Sequence, residues 1–195
     1  EMLAHEGYAD SAVVKRAVLW LRDQQESDGA WFGRWGVNYV YGVGSVVPAL
    51  VASGVEVDDP AITRALDFLS AHQNEDGGWG EDIRSYDDPA LRASGHSTAS
   101  QTAWALLAFA AAGRAHDEAA YRGASYLVAT QRSDGNWDEP FFTGTGFPGD
   151  FYINYHLYRL VFPVSALGRW CEAADIPREN VVIETAVVSE SSSVS

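Results

Sequence analysis

Arg16-Ala17-x-x-Trp20-Leu21-x-x-x-Gln25-x-x-Asp28-Gly29-x-Trp31 is the stretch that decides the fold, because the chain writes it three times. The second copy reads Arg64-Ala65-x-x-Phe68-Leu69-x-x-x-Gln73-x-x-Asp76-Gly77-x-Trp79. The third reads Arg122-Gly123-x-x-Tyr126-Leu127-x-x-x-Gln131-x-x-Asp134-Gly135-x-Trp137. The second copy starts 48 residues after the first and the third 58 after the second, while the internal spacing never changes. A period in this range marks an architecture of stacked supersecondary units.

Each copy opens as an amphipathic helix. In the first, Val14, Ala17, Val18 and Leu21 form one apolar face, while Lys15, Arg16, Arg22 and Asp23 stay in water. The Asp-Gly pair predicts the stop, since Gly accepts the left-handed conformation and Asp bonds its own backbone. A more apolar helix is expected after each turn, at about Val43–Ser53, Ser100–Ala112 and Phe151–Trp170. The first two carry no charge, so they require cover on nearly every side. Alternating amphipathic and buried helices predict an all-α fold, an α/α barrel or toroid. The chain would supply a half-barrel of about three outer/inner pairs. The repeated Gln25, Gln73, Gln131, Trp31, Trp79 and Trp137 read as structural. An indole face can stack on the planar amide, which keeps donors and acceptors for a neighbouring helix terminus. Three such clamps would tie the outer helices together.

Composition narrows the classes. With 195 residues, 47% hydrophobic and 12% aromatic, the chain holds enough apolar material to exclude disorder for its bulk. Thirteen basic against 27 acidic residues give a net charge of −14, which argues against a nucleic-acid partner. The single cysteine, Cys171, excludes a disulfide framework and a Cys-built zinc site. His5, His72, His96, His116 and His156 are scattered, so no metal is expected. Trp35–Val55 and Ala93–Gly113 lack Asp, Glu, Lys and Arg over lengths that suggest membrane spans. Their Asn38, Gly42, Gly44, Pro48 and Gly95-His96-Ser97-Thr98 favour buried helices. The mixed charges of Glu1–Glu26 do not read as a signal peptide. Residues 1–175 are expected to form the barrel part, and 176–195, rich in Val and Ser, a partly disordered tail.

The three Gln…Trp copies, together with Gly144-Thr145-Gly146-Phe147-Pro148-Gly149-Asp150-Phe151-Tyr152, closely resemble bacterial squalene–hopene cyclases. Trp31-Phe32-Gly33-Arg34-Trp35-Gly36-Val37-Asn38-Tyr39 and Gln101-Thr102-Ala103-Trp104-Ala105-Leu106 are similar to the same family. The resemblance covers residues 1–172, the C-terminal third of such a cyclase. It implies an acid that protonates the terminal alkene of a folded squalene, with carbocations forming ring by ring until hopene or hopanol results. By resemblance Phe147, Phe151, Tyr155, Tyr158 and Trp35 stabilise successive cations, and Ile153 shapes the substrate pocket. Tyr41 matches a phenol in the hydrogen-bond network that recharges the acid. From pattern alone, Phe151, Tyr155, Tyr158 and Phe162 fall on one face of a helix capped by Asp150, a stripe that also fits plain core.

The family's proton donor sits in an Asp-x-Asp-Asp motif, and the sequence contains no such string. Asp58-Asp59 and Asp87-Asp88, followed by Pro60 and Pro89, read as helix starts. The expectation is therefore half an active site, inactive alone and without a cofactor. Its implied partners are squalene or a related polyprene, the rest of a cyclase chain, a second copy in a homodimer, and a membrane contacted through the absent part. The implied place of the parent enzyme is the cytoplasmic face of the cell membrane. The alternatives are a cyclase of another polyprene, a glycoside hydrolase using Glu81, Asp82, Glu139 or Asp150, a zinc prenyltransferase, and a non-catalytic helical-repeat module.

Overall fold

A computed structural model describes residues 1–176. Three amphipathic helices, α1 (Ala12–Asp23), α3 (Pro60–Ala71) and α5 (Glu118–Thr130), alternate with α2 (Tyr39–Ala52), α4 (Ala99–Ala111) and α6 (Tyr158–Ala173). Their starts follow from local chemistry. Ser11 Oγ accepts the Val14 N–H, and Asp59 accepts the Ala61 N–H at 2.9 Å with Pro60 in the first turn. Asp88 caps the short 3-10 turn Pro89–Leu91 in the same way. Both Asp-Asp-Pro sequences are thus starts, as expected.

The inner helix α4 packs against α2 on one side and α6 on the other. Outer α3 lies against α2 and α4, and outer α5 against α4 and α6. This layering is the arc of an α/α barrel. Val40, Val43, Val47 and Leu50 of α2 meet Leu66 and Leu69 of α3, Leu106 and Phe109 of α4, and Leu127 of α5 in one core. No described helix is long and apolar enough to cross a membrane. The two uncharged stretches are instead the inner helices and their approach loops.

The Gln and Trp side chains close each turn. Gln25 Nε2 donates to its own Gly29 carbonyl at 2.9 Å and to Ala61, in the first turn of α3, at 2.7 Å. Gln73 repeats this on Gly77 and on Ala119 of α5, both at 2.8 Å. Trp31, Trp79 and Trp137 each donate Nε1–H to a carbonyl near the end of their own helix, on Leu21, Leu69 and Leu127. Gln131 makes the bond to Gly135, and among the described residues no following helix accepts its second donor. Two of the three glutamines therefore tie their turn to the next outer helix, through hydrogen bonds of the amide, while each tryptophan is fixed by its own N–H. A Cβ on Gly77 would come 2.8 Å from the Arg122 carbonyl, so the next helix rests directly on this turn.

Two expectations need correction. The outer helices stop at Asp23, Ala71 and Thr130, before the Asp-Gly pairs. Asp28 and Asp76 build the turn instead, accepting the N–H groups of Ala30 and Gly78. The helix expected over Phe151–Trp170 begins only at Tyr158. Phe151–Ile153 is strand β2, paired antiparallel with β1 (Gly144–Phe147). Asp150 lies in the hairpin turn beside Gly149, at φ 87°, and caps no helix. The run Phe-Tyr-Ile suits a strand, the glycines of β1 disfavour a helix and leave room for the facing rings, and the helical stripe was a coincidence of spacing. The tail from residue 177 onward lies outside the described residues.

Candidate active site

Two segments that the sequence separates by a hundred residues lie side by side. The Val37 N–H donates to the Thr143 carbonyl at 2.9 Å, and the Thr145 N–H to the Trp35 carbonyl at 3.0 Å. This pairing sets Trp35 against the hairpin that carries Phe147 and Phe151. Trp35, Phe147, Phe151 and Tyr155 all present exposed rings, with Phe147 at 61%. Glycines make room for them. A Cβ on Gly146 would come 2.7 Å from the Phe151 ring, and one on Gly144 2.6 Å from the Tyr155 ring. Half-buried Ile153 pairs with Gly144 at the base of the hairpin.

A second group of rings gathers around Trp104 of α4. Tyr41 stands edge-on to Trp104 at 4.9 Å, Tyr158 at 5.8 Å and Phe162 at 5.4 Å. Tyr155 lies 4.8 Å from Tyr158 and joins this group to the hairpin. Burial, with Tyr41 and Tyr155 nearby, pushes the Tyr158 phenol above its usual range, so it stays a neutral, electron-rich ring. The structure thus brings Tyr41, Tyr155 and Tyr158 together through Trp104, and Trp35, Phe147 and Phe151 together on the paired segments. Phe162 packs on Trp104 and Tyr158 and at the same time against the hydrophobic core.

The segment between Trp35 and Tyr41 is gripped by buried polar groups. Glu81 Oε2 accepts the N–H groups of Asn38 at 3.1 Å and Val40 at 2.9 Å. Gln101 donates to the carbonyls of Val37 and Glu81 at 2.8 and 3.0 Å. The Tyr86 hydroxyl donates toward the carbonyls of Gly33 and Gly36, at 2.6 and 3.0 Å. Burial pushes the Glu81 carboxyl above the usual carboxylate range, against the pull of the Val40 and Asn38 amides. Sequence reading placed Gln101 and Trp104 in a stretch similar to the family without giving them a role, and it did not see what Glu81 and Glu139 hold. The available signal was recurrence, since each glutamate stands two residues after a repeat tryptophan, in Trp79-Gly80-Glu81 and Trp137-Asp138-Glu139. As hydrolase carboxylates they are badly placed: both Glu139 oxygens are taken by Ser100 and Thr143, and Glu81, whose Oε1 has no partner among the described residues, is buried and holds backbone amides through Oε2. Among the described residues no group of three or more His, Cys, Asp or Glu is disposed to hold a metal ion.

Alternating outer and inner helices, with aromatic rings gathered around Trp104 and on the hairpin, are the arrangement of a barrel domain of the terpenoid-cyclase type. Residues 1–172 match the family of the squalene-hopene cyclase C-terminal domain, and the chain belongs to that family. It is 61% identical to the squalene–hopene cyclase of Alicyclobacillus acidocaldarius, over 87% of this chain and 27% of that protein. It is 52% identical to the squalene–hopene cyclase of Bradyrhizobium diazoefficiens, over 80% of this chain and 24% of that protein. A protein named dammaradiene synthase, from Dryopteris crassirhizoma, is 45% identical over 80% of this chain and 25% of its own length. The chain spans about a quarter of the length of these relatives.

Proposed function

We propose that this chain forms one aromatic wall of a cavity in which a polyprene, squalene in the first instance, is cyclised to hopene or hopanol through carbocations. The observation that supports the reading is that exposed Trp35, Phe147 and Phe151 stand on neighbouring, hydrogen-bonded segments, with exposed Tyr155 just beyond β2. A cation above a desolvated ring gains about 2 kcal/mol, and a hydrocarbon ring offers no lone pair to trap it early. Ile153 shapes the base of that wall, and Tyr41 passes protons toward an acid outside these residues. The acid motif is absent from the sequence, so the chain by itself turns over no substrate. The same reading gives the parent enzyme a peripheral contact with the cytoplasmic face of the cell membrane, where an apolar substrate would be drawn from the bilayer.

The test is product identity in a cyclase that contains this domain. Phe147→Ala or Phe151→Ala removes a ring worth about 1–2 kcal/mol to a passing cation, roughly tenfold in the affected step. Partly cyclised hydrocarbons are the expected products. Phe109→Ala is the control, a fully buried ring packed on Trp79, which should cost about 3–5 kcal/mol of stability and leave products alone. Wild-type product at wild-type rate from folded Phe147→Ala and Phe151→Ala variants would refute the cavity assignment.

A further inference from the structure

We propose that Glu81 and Glu139 are positioning residues, each holding one wall of the candidate cavity in place. The purpose assigned to them rests on the cyclase reading; the mechanics rest on the geometry alone. Both side chains are buried, Glu81 at 4% exposure and Glu139 at 2%, and among the described residues neither pairs with a basic group. An unpaired buried carboxylate is costly, and it persists only where strong acceptors are needed.

What each one holds is specific. Glu81 takes the amides of Asn38 and Val40, the residues between Trp35 and Tyr41. Glu139 takes the Ser100 N–H and Oγ–H, both at 2.8 Å, and the Thr143 hydroxyl at 2.9 Å. The Glu139 carbonyl accepts from the Asn154 side chain at 2.9 Å. Thr143 precedes β1 and Asn154 follows β2, so both ends of the Phe147–Phe151 hairpin are fastened to one residue.

The repeat separates this role from that of the clamp. A residue serving only the turn would recur in every copy, as the Gln and Trp do. In the first copy the equivalent position is Gly33, which has no side chain to hold anything and is itself held, through Asn38 and Tyr86. Glutamate appears in the two copies whose turns take hold of another segment, Glu81 at Asn38 and Val40 and Glu139 at Ser100.

The experiment uses the purified chain carrying Glu81→Gln or Glu139→Gln, at a pH above the raised Glu81 range so that the carboxylate is charged; the variants keep shape and one acceptor oxygen while replacing charge-assisted bonds by weaker ones. Hydrogen exchange is measured residue by residue, and fluorine signals are read from labels at Trp35, Tyr41, Phe147 and Phe151. Glu81→Gln should cost Asn38 and Val40 about tenfold in protection and shift the Trp35 and Tyr41 signals, sparing Ser100 and the hairpin. Glu139→Gln should give the reverse. If a glutamine variant folds poorly, Glu81→Asp and Glu139→Asp, with the charge kept but drawn back by one methylene, must show the same segregation. Uniform loosening in both variants, or ring signals that stay fixed while the amides loosen, overturns the proposal. No turnover is needed, so failure here is distinct from failure of the cyclase reading, which appears as unchanged products in the phenylalanine variants.

Discussion

Glu81 carries a titration that the whole fold should feel. Its carboxyl is pushed above the usual carboxylate range by burial, so the folded chain holds that proton more tightly than the unfolded chain does. The stabilisation is fully present below the ordinary glutamate value of about 4.3 and is lost as pH rises through the raised one. Melting temperatures of the native chain should therefore fall, relative to Glu81→Gln, as pH climbs from acid toward neutral. Parallel curves for the two proteins would show that this residue does not titrate across the transition. Asp59 works in the other direction. Burial raises its pKa, but the Ala61 amide and the Arg22 guanidinium more than offset this and hold the carboxyl below its usual range. Its contribution is present above the ordinary aspartate value and is lost as pH falls, so Asp59→Asn should flatten the acid limb of the curve.

The hairpin β1–β2 shows where reading a sequence by period fails. Phe151, Tyr155, Tyr158 and Phe162 obey helical spacing, yet Phe151 is in a strand and only Tyr158 and Phe162 share a helix. Four residues are too few to tell a stripe from an accident, and Gly144, Gly146 and Gly149 were the better guide. The Gln…Trp units, by contrast, were legible because identical spacing recurs three times. What the sequence could not show is the pairing of 35–37 with 143–145, since nothing local encodes contact between segments so far apart. Gly146→Val tests the element directly. Its added carbons would meet the Phe151 ring, so it should move that ring and alter products while the α4–α6 packing and the melting temperature change little. Gly77→Ala should do the opposite, costing about 2 kcal/mol or more in a thermal melt, because φ is 87° and the Arg122 carbonyl blocks the new methyl group.

As a whole the molecule leaves apolar surface in water. Leu19 and Trp20 on α1, and Val161 and Val164 on α6, are exposed, although Phe68, which repeats the Trp20 position, is buried. Exposed patches of this kind drive association, so the purified chain should dimerise or bind a hydrophobic dye. A monodisperse monomer by light scattering that ignores the dye would count against an open arc. The same preparation, incubated with squalene, should yield no hopene; any hopene would locate a proton donor within these residues. The seams between units have one more consequence. Each unit registers on the next where a glutamine and a glycine meet the start of an outer helix. The connections from turn to inner helix add a second register: the second, running from Trp79 to Ala99 where the first runs only from Trp31 to Tyr39, reaches back to the first through Glu81 and Tyr86, and its Arg92 pairs with Glu26 and Asp28 of the first turn. Curvature and rim are thus coupled variables. Re-carving the rim, and with it the shape offered to a substrate, must keep those ties or disturb how one unit is set against the next.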